Sequence, residues 1–146
     1  MTELRPLAPR EGVALLRGIG ARGFLGLDPV TQNDPLLLRE LAAMDAHLFA
    51  PTEGADAVLG YTPNPDNPRQ AYVATTSADP ALLAELADHL LIYRRCTSMV
   101  CLTSDDTAIA ALRGNGFRQA GLLRQHDYRE GAYHDVHVYA GQPCAS

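Results

Sequence analysis

The segment DDTAIAALRGNGFRQAGLLRQHDYREGAYHDVHVYA (105–140) decides the fold. Asp105 or Asp106 suits the cap of a short helix that runs to Leu112. Gly114-Asn115-Gly116 ends that helix, because glycine enters the left-handed conformation that helix C-termini use. Phe117 follows and is expected to drop into the core beneath the turn. Gly121 to Tyr128 and Ala132 to Tyr139 then read as two strands, joined by a turn at Arg129-Glu130-Gly131.

Upstream, Met99-Val100-Cys101-Leu102 reads as a short buried strand. Before it, Leu82, Leu83, Leu86, Leu90 and Leu91 recur at helical spacing and predict a helix from Pro80 to about Arg94, capped by Asp79 or Ser77. Arg94-Arg95 at its end suits the helix dipole. Three β-prone stretches, 46–50, 57–61 and 71–75, form a meander. Pro51-Thr52-Glu53-Gly54 supplies its first turn, and TPNPDNPR (62–69), with three prolines in eight residues, predicts an irregular loop. A helix over Pro35–Met44 precedes the meander, after a loop over 24–34. Pro9 suits the first position of another helix, and residues 2–7 read as a strand. The order β-α-α-β-β-β-α-β-α-β-β predicts one α/β domain over residues 1–146, with a central mixed sheet flanked by helices.

Composition narrows the function classes. The chain has 146 residues and a formal net charge of −5, from 12 Lys+Arg against 17 Asp+Glu. An acidic balance argues against nucleic acid or an anionic membrane as the main partner. Hydrophobic residues at 47% and charged residues at 20% are ordinary globular values and argue against disorder. Cys96, Cys101 and Cys144 have no paired spacing, so no disulfide framework is implied, and the first two read as buried thiols. No stretch has the length of a signal peptide or membrane span, and the expectation is a cytoplasmic protein.

The element order and the 105–140 segment, about a quarter of the chain, resemble the GNAT superfamily of N-acetyltransferases. The matching positions are Gly116-Phe117, Gly121, Arg124, Gly131, Tyr133 and Asp135. The resemblance implies acyl transfer from an acyl-CoA to a small amine or a peptide N-terminus. It places the pantetheine slot between strands 71–76 and 98–103, with Val73, Thr75, Ser77, Ala78, Ala81 and Asp105 as candidate cofactor-binding residues. Two features depart from the family pattern. Where the family has a glycine-rich pyrophosphate turn, this chain has TSADPALLAEL (76–86), without glycine and with Pro80 and Asp79 at the helix start. The expectation is therefore weak binding of acetyl-CoA or another acyl-CoA. At the position of the usual proton-donating Tyr stands Leu112, which has no proton to give.

The hairpin supplies the substitute acids. With a three-residue turn, His126 and His134 fall opposite each other on one face; with Tyr128 they are the candidate catalytic residues, His126 first because an ordinary imidazole titrates nearest neutrality. No third ligand is spaced with the histidines, so no metal is expected. Asp135 is expected to pair with Arg124 or to hold hairpin backbone. Arg17-Gly18-Ile19-Gly20-Ala21-Arg22-Gly23 reads as a helix C-terminus and turn, with a ligand-contacting loop as the alternative. Open sheet edges and the run Leu36-Leu37-Leu38 predict a homodimer through the terminal hairpin or the second helix. Two further functions stay open: a GNAT-fold binding or regulatory protein without transferase activity, and an enzyme repurposed for another reaction on a small metabolite.

Overall fold

The computed structural model describes residues 3–54, 56–129 and 131–142. Its elements are β1 (Leu4–Leu7), α1 (Pro9–Ile19), α2 (Asp34–Ala43), β2 (His47–Pro51), β3 (Leu59–Asn64), β4 (Asn67–Thr75), α3 (Pro80–Tyr93), β5 (Ser98–Thr103), α4 (Asp106–Gly114), β6 (Arg118–Arg129) and β7 (Ala132–Gly141). The strands form a seven-stranded sheet in the order β1-β2-β3-β4-β5-β7-β6. Neighbours are antiparallel except β4 and β5, which are parallel and connected through α3.

α2, α3 and α4 start where short polar side chains take up orphan backbone donors, whereas α1 starts at Pro9 without a side-chain cap. The Leu36 N–H donates to Asn33, the Ala81 N–H to Asp79 and the Thr107 N–H to Asp105, at 2.9, 2.9 and 3.0 Å. α4 ends as expected. Gly116 has φ +78°, its N–H donates to the Arg113 carbonyl, and Phe117 is buried directly after it.

Two hydrophobic layers sandwich the sheet. α3 and α4 bring Leu83, Leu86, Leu90 and Leu112, none with any exposed surface, against Leu59, Ala71 and Met99. Each such leucine contributes about 1.5–3 kcal/mol of apolar burial. α1 and α2 bring Val13, Leu16, Leu37 and Leu41 against Leu7, Leu48 and Val58 on the other face. Leu38 packs at the edge of this second cluster, so α2 covers more of its leucine run than its sequence suggests. Cys96 and Cys101 are buried, and burial pushes the Cys101 thiol up to about 12. Cys144 lies outside the described residues.

Two expectations need correction. Residues 62–69 are not an irregular loop: β3 runs to Asn64, β4 starts at Asn67, and Thr62↔Tyr72 and Pro63↔Ala71 are paired. The prolines are accommodated because the register shifts at Pro63/Asn64 and side chains replace backbone partners. Asn64 accepts from the Asp66 N–H and donates to Gln70, while Asn67 accepts from the Arg69 N–H.

The second correction concerns the hairpin. His134 lies opposite Asp127, not His126, because Arg129 pairs with Ala132 and the turn is one residue shorter than the expected three. Leu123↔Val136 and Asp127↔His134 are consecutive pairs, so Arg124, Gln125 and His126 on β6 face only Asp135 on β7. This insertion is a β-bulge. Gln125 sits at φ +49°, and its N–H donates to Asp135 Oδ1 at 2.8 Å. Asp135 thus holds hairpin backbone, one of its two expected roles.

Candidate functional site

The site begins where the two central strands part. β4 and β5 are paired from Gln70↔Ser98 to Tyr72↔Val100, and no later β4–β5 pair occurs among the described residues. Beyond that point β4 stays with β3 as far as Leu59↔Thr75, and β5 stays with β7 as far as Thr103↔His137. Two parallel strands held by different neighbours leave a slot between their C-terminal ends. This is where open α/β sheets commonly take ligands.

Two cavities meet at this slot. The smaller, about 320 Å³, is lined by Ala74, Thr75 and Thr76 after β4, Cys101–Thr103 of β5, Asp105, Thr107 and Ala108 at the start of α4, Ile19–Phe24 after α1, and Arg129. The larger, about 830 Å³, is lined by Tyr72 and Val73 of β4, Leu102–Ser104, the 23–28 turn, the end of α2, the β3–β4 hairpin, and His126, Asp127 and Val136. Gly23, Leu102 and Thr103 belong to both walls, so the cavities adjoin. The helix-end reading of the glycine run is correct, since Gly20 at φ +78° terminates α1, and the same run also lines both cavities.

Charge is sorted across the boundary. The larger cavity carries Asp28, Asp45 and Asp127 and no lysine or arginine among its described lining residues. The smaller carries both cations, Arg22 and Arg129, together with the helix-capping Asp105. Arg22 is paired with Asp28 at 3.3 Å, and Arg129 lies 3.8 Å from Asp127. Each ion pair therefore has its carboxylate residue in one cavity wall and its guanidinium residue in the other.

The expected residues divide. His126 is exposed and lines the larger cavity. Tyr128 is 61% exposed and packs edge-on against Tyr133, at 4.8 Å between ring centroids. Neither Tyr128 nor His134 is among the described residues lining the cavities. Val73 lines the larger cavity, and Thr75 and Asp105 line the smaller. Ser77, Ala78 and Ala81 stand outside both walls at the start of α3. There Ser77 Oγ accepts from the Asp79 N–H, and Asp79 accepts from the Ala81 N–H. Asp127 and Arg129 were not anticipated, and Arg22 entered only through the alternative of a ligand-contacting loop; the register break beside His126 and Asp127 leaves no mark on the apolar pattern.

A further polar cluster sits by the C-terminal end of α3. Arg94 donates to Tyr61 Oη at 2.8 Å, lies 2.8 Å from His47 Nε2, and rests over the Tyr61 ring. The Tyr61 hydrogen bond raises the Arg94 pKa further. His89 packs against Phe49 and Tyr93; burial, then the charges of Arg94 and His47, lower its pKa.

Solved structures share this arrangement across nearly the whole chain. A spermidine N-acetyltransferase from Vibrio cholerae, in complex with CoA and spermine, superposes with a TM-score of 0.74 at 12% identity, covering 97% of this chain and 95% of that one. RimL, a ribosomal L7/L12 α-N-protein acetyltransferase in complex with CoA, gives 0.67 at 20% identity, covering 95% and 92%. A putative phosphinothricin N-acetyltransferase gives 0.73 at 13% identity, covering 99% and 100%. The chain has the GNAT acetyltransferase fold. At these identities the likeness establishes architecture, and no family model or curated protein sequence matches the chain. Among the described residues no helix is long and apolar enough to cross a membrane, and no group of three His, Cys, Asp or Glu is placed to hold a metal.

Proposed function

We propose that the protein is an acyl-CoA-dependent N-acyltransferase acting on a small amine or a peptide N-terminus. The observation that carries this reading is the parting of β4 and β5, with two adjoining cavities that meet at Leu102 and Thr103. One cavity takes the acyl donor and the other the amine. The slot suits a narrow pantetheine arm, and Val73, Thr75 and Asp105 flank it. The start of α3 suits a pyrophosphate poorly, because Asp79 caps its own helix and leaves a carboxylate where phosphate would sit. Acyl-CoA therefore binds through the slot and only weakly through its phosphates. When bound it supplies the acyl group as an activated thioester.

The chain's own contribution is orientation and proton handling. Leu112 is fully buried in the α3/α4 layer and takes no part. His126 stands on the wall of the amine cavity and serves as the proton-transfer group, with Tyr128 and His134 as secondary candidates. Calorimetry with acetyl-CoA, followed by transfer assays on an amine panel, tests the reading. Binding weaker than low micromolar with measurable transfer is expected; no binding would remove the acyltransferase. The self-capped start of α3 favours one alternative in that event, a GNAT-fold protein without transferase activity, either regulatory or repurposed for another small metabolite.

The proposal includes a homodimer. β6 is an edge strand with Leu122 partly exposed, and such edges are commonly covered. α2 is the second candidate surface. Light scattering at high micromolar concentration should give twice the chain mass, and a monomer mass would exclude the dimer.

A further inference from the structure

In an unbroken strand, successive side chains point to opposite faces. His126 and Asp127 are successive, yet both line the larger cavity, and the register of β6 breaks immediately before Asp127, over residues 124–126. The break is held by a bond from the Gln125 N–H to Asp135 Oδ1, across a residue at φ +49°. Without that acceptor the chain loses the group that fixes an uncommon conformation for a side-chain-bearing residue.

The carboxylates of the cavity are not equivalent. Asp28 already accepts from the Gly23 N–H at 2.9 Å and from Arg22. Asp45 is a rim residue, with its side chain 65% exposed and 3.3 Å from His47. Asp127 is only 25% exposed, and its 3.8 Å approach to Arg129 is an ion pair without a hydrogen bond. It is the carboxylate able to take a new charged donor inside the cavity. Around it the walls are mostly apolar, from Leu25, Met44, Pro63, Tyr72, Leu102 and Val136.

We propose that the Asp135-held bulge is the acceptor-selecting device of the site, setting Asp127 to receive the ammonium of an amine with an apolar body. Asp127 binds the acceptor, and Asp135 is a positioning residue acting through Gln125. A free amino acid is disfavoured because its carboxylate would enter a cavity whose only charged side chains are acidic or histidine among the described residues. A polyamine is disfavoured because its second ammonium would lie against apolar wall. This rests on the reading of the cavity as the amine site.

The test is calorimetry of the full chain with 2-phenylethylamine, spermidine and L-phenylalanine, without acyl-CoA, alongside acetyl transfer from acetyl-CoA to each. The expected result is that 2-phenylethylamine binds at least tenfold tighter than the other two. Asp127→Asn should weaken it at least tenfold, seen in transfer as a raised KM with little change in kcat. Asp135→Ala should do the same, and Asp135→Asn, which keeps an acceptor oxygen, should recover binding to within about twofold. A preference for spermidine or phenylalanine, or unchanged amine binding in Asp127→Asn, would overturn the inference even if transfer occurs. Asp127-dependent amine binding without any acyl transfer would uphold it and remove only the transferase. Should Asp135→Ala fail to fold, the Asp127→Asn result decides.

Discussion

On the face covered by α3 and α4, Leu83, Leu86, Leu90 and Leu112 have no exposed surface, whereas the face covered by α1 and α2 opens into a cavity of about 830 Å³. The difference lies in the backbone beneath each face. The first is closed by regular helices with apolar side chains at helical spacing. The second is bordered by a glycine-rich turn, a proline hairpin and a bulged strand, each of which interrupts the periodicity that fills a core. Regular elements make the packed face, and the interruptions make the site.

The sharpest way to break this contrast is to damage each face separately. Leu112→Ala should cost about 2–5 kcal/mol, the usual range for a fully buried leucine truncation. Urea denaturation should show the loss as a lower midpoint. A cost below about 1 kcal/mol would mean that the α3/α4 layer is not the packed one.

His126→Ala should do the reverse. Turnover is expected to fall about 10²-fold or more, the usual worth of a proton-transfer group. Stability should change by no more than about 0.5 kcal/mol, because the residue is exposed. Unchanged turnover would take His126 out of the mechanism. A large loss of stability would make it a structural residue.

The start of α3 sharpens the contrast further, since it is a regular, self-capped helix start where the resemblance implies a pyrophosphate turn. Asp79→Gly keeps a residue tolerated as a cap and removes the carboxylate, so stability should fall by only a few tenths of a kcal/mol. Acetyl-CoA affinity should rise severalfold in calorimetry at low salt. Unchanged affinity would show that the phosphates lie elsewhere.

The unequal regularity also explains what the sequence reveals. The capped helices, the Gly116-Phe117 turn and the element order follow from spacing and local chemistry, and all are present in the fold. The glycine run after α1 was legible as a helix end, but the cavities it lines were not, because they depend on strands distant in sequence. The bulge was invisible because its cause, the Gln125–Asp135 bond, crosses the hairpin and replaces no apolar residue. Counting pairs from a three-residue turn places His134 opposite His126, whereas Arg129 pairs with Ala132, so the turn is one residue shorter and Asp127 stands there. The prolines of 62–69 misled for a related reason: Asn64, Asn67 and Gln70 side chains sustain a hairpin that proline frequency argues against.

The smallest expected effect concerns pH and lies away from the cavity, at the α3 end of the packed face. His89 is half-buried against Phe49 and Tyr93, and burial, then Arg94 and His47, hold its pKa below the ordinary value of 6.5. A histidine with a lowered folded-state pKa stays neutral in the fold while the unfolded chain takes up a proton. Its contribution to stability is therefore complete above the unfolded-state value and is lost as pH falls through the folded one. Thermal melts should show a stability that declines below about pH 6.5, and His89→Gln, which cannot protonate, should flatten that part of the decline. The ring is partly solvated, so the flattening should be modest, and its direction is the decisive feature. A steeper decline in the variant would mean that protonated His89 is stabilised by the fold, which its position beside Arg94 argues against.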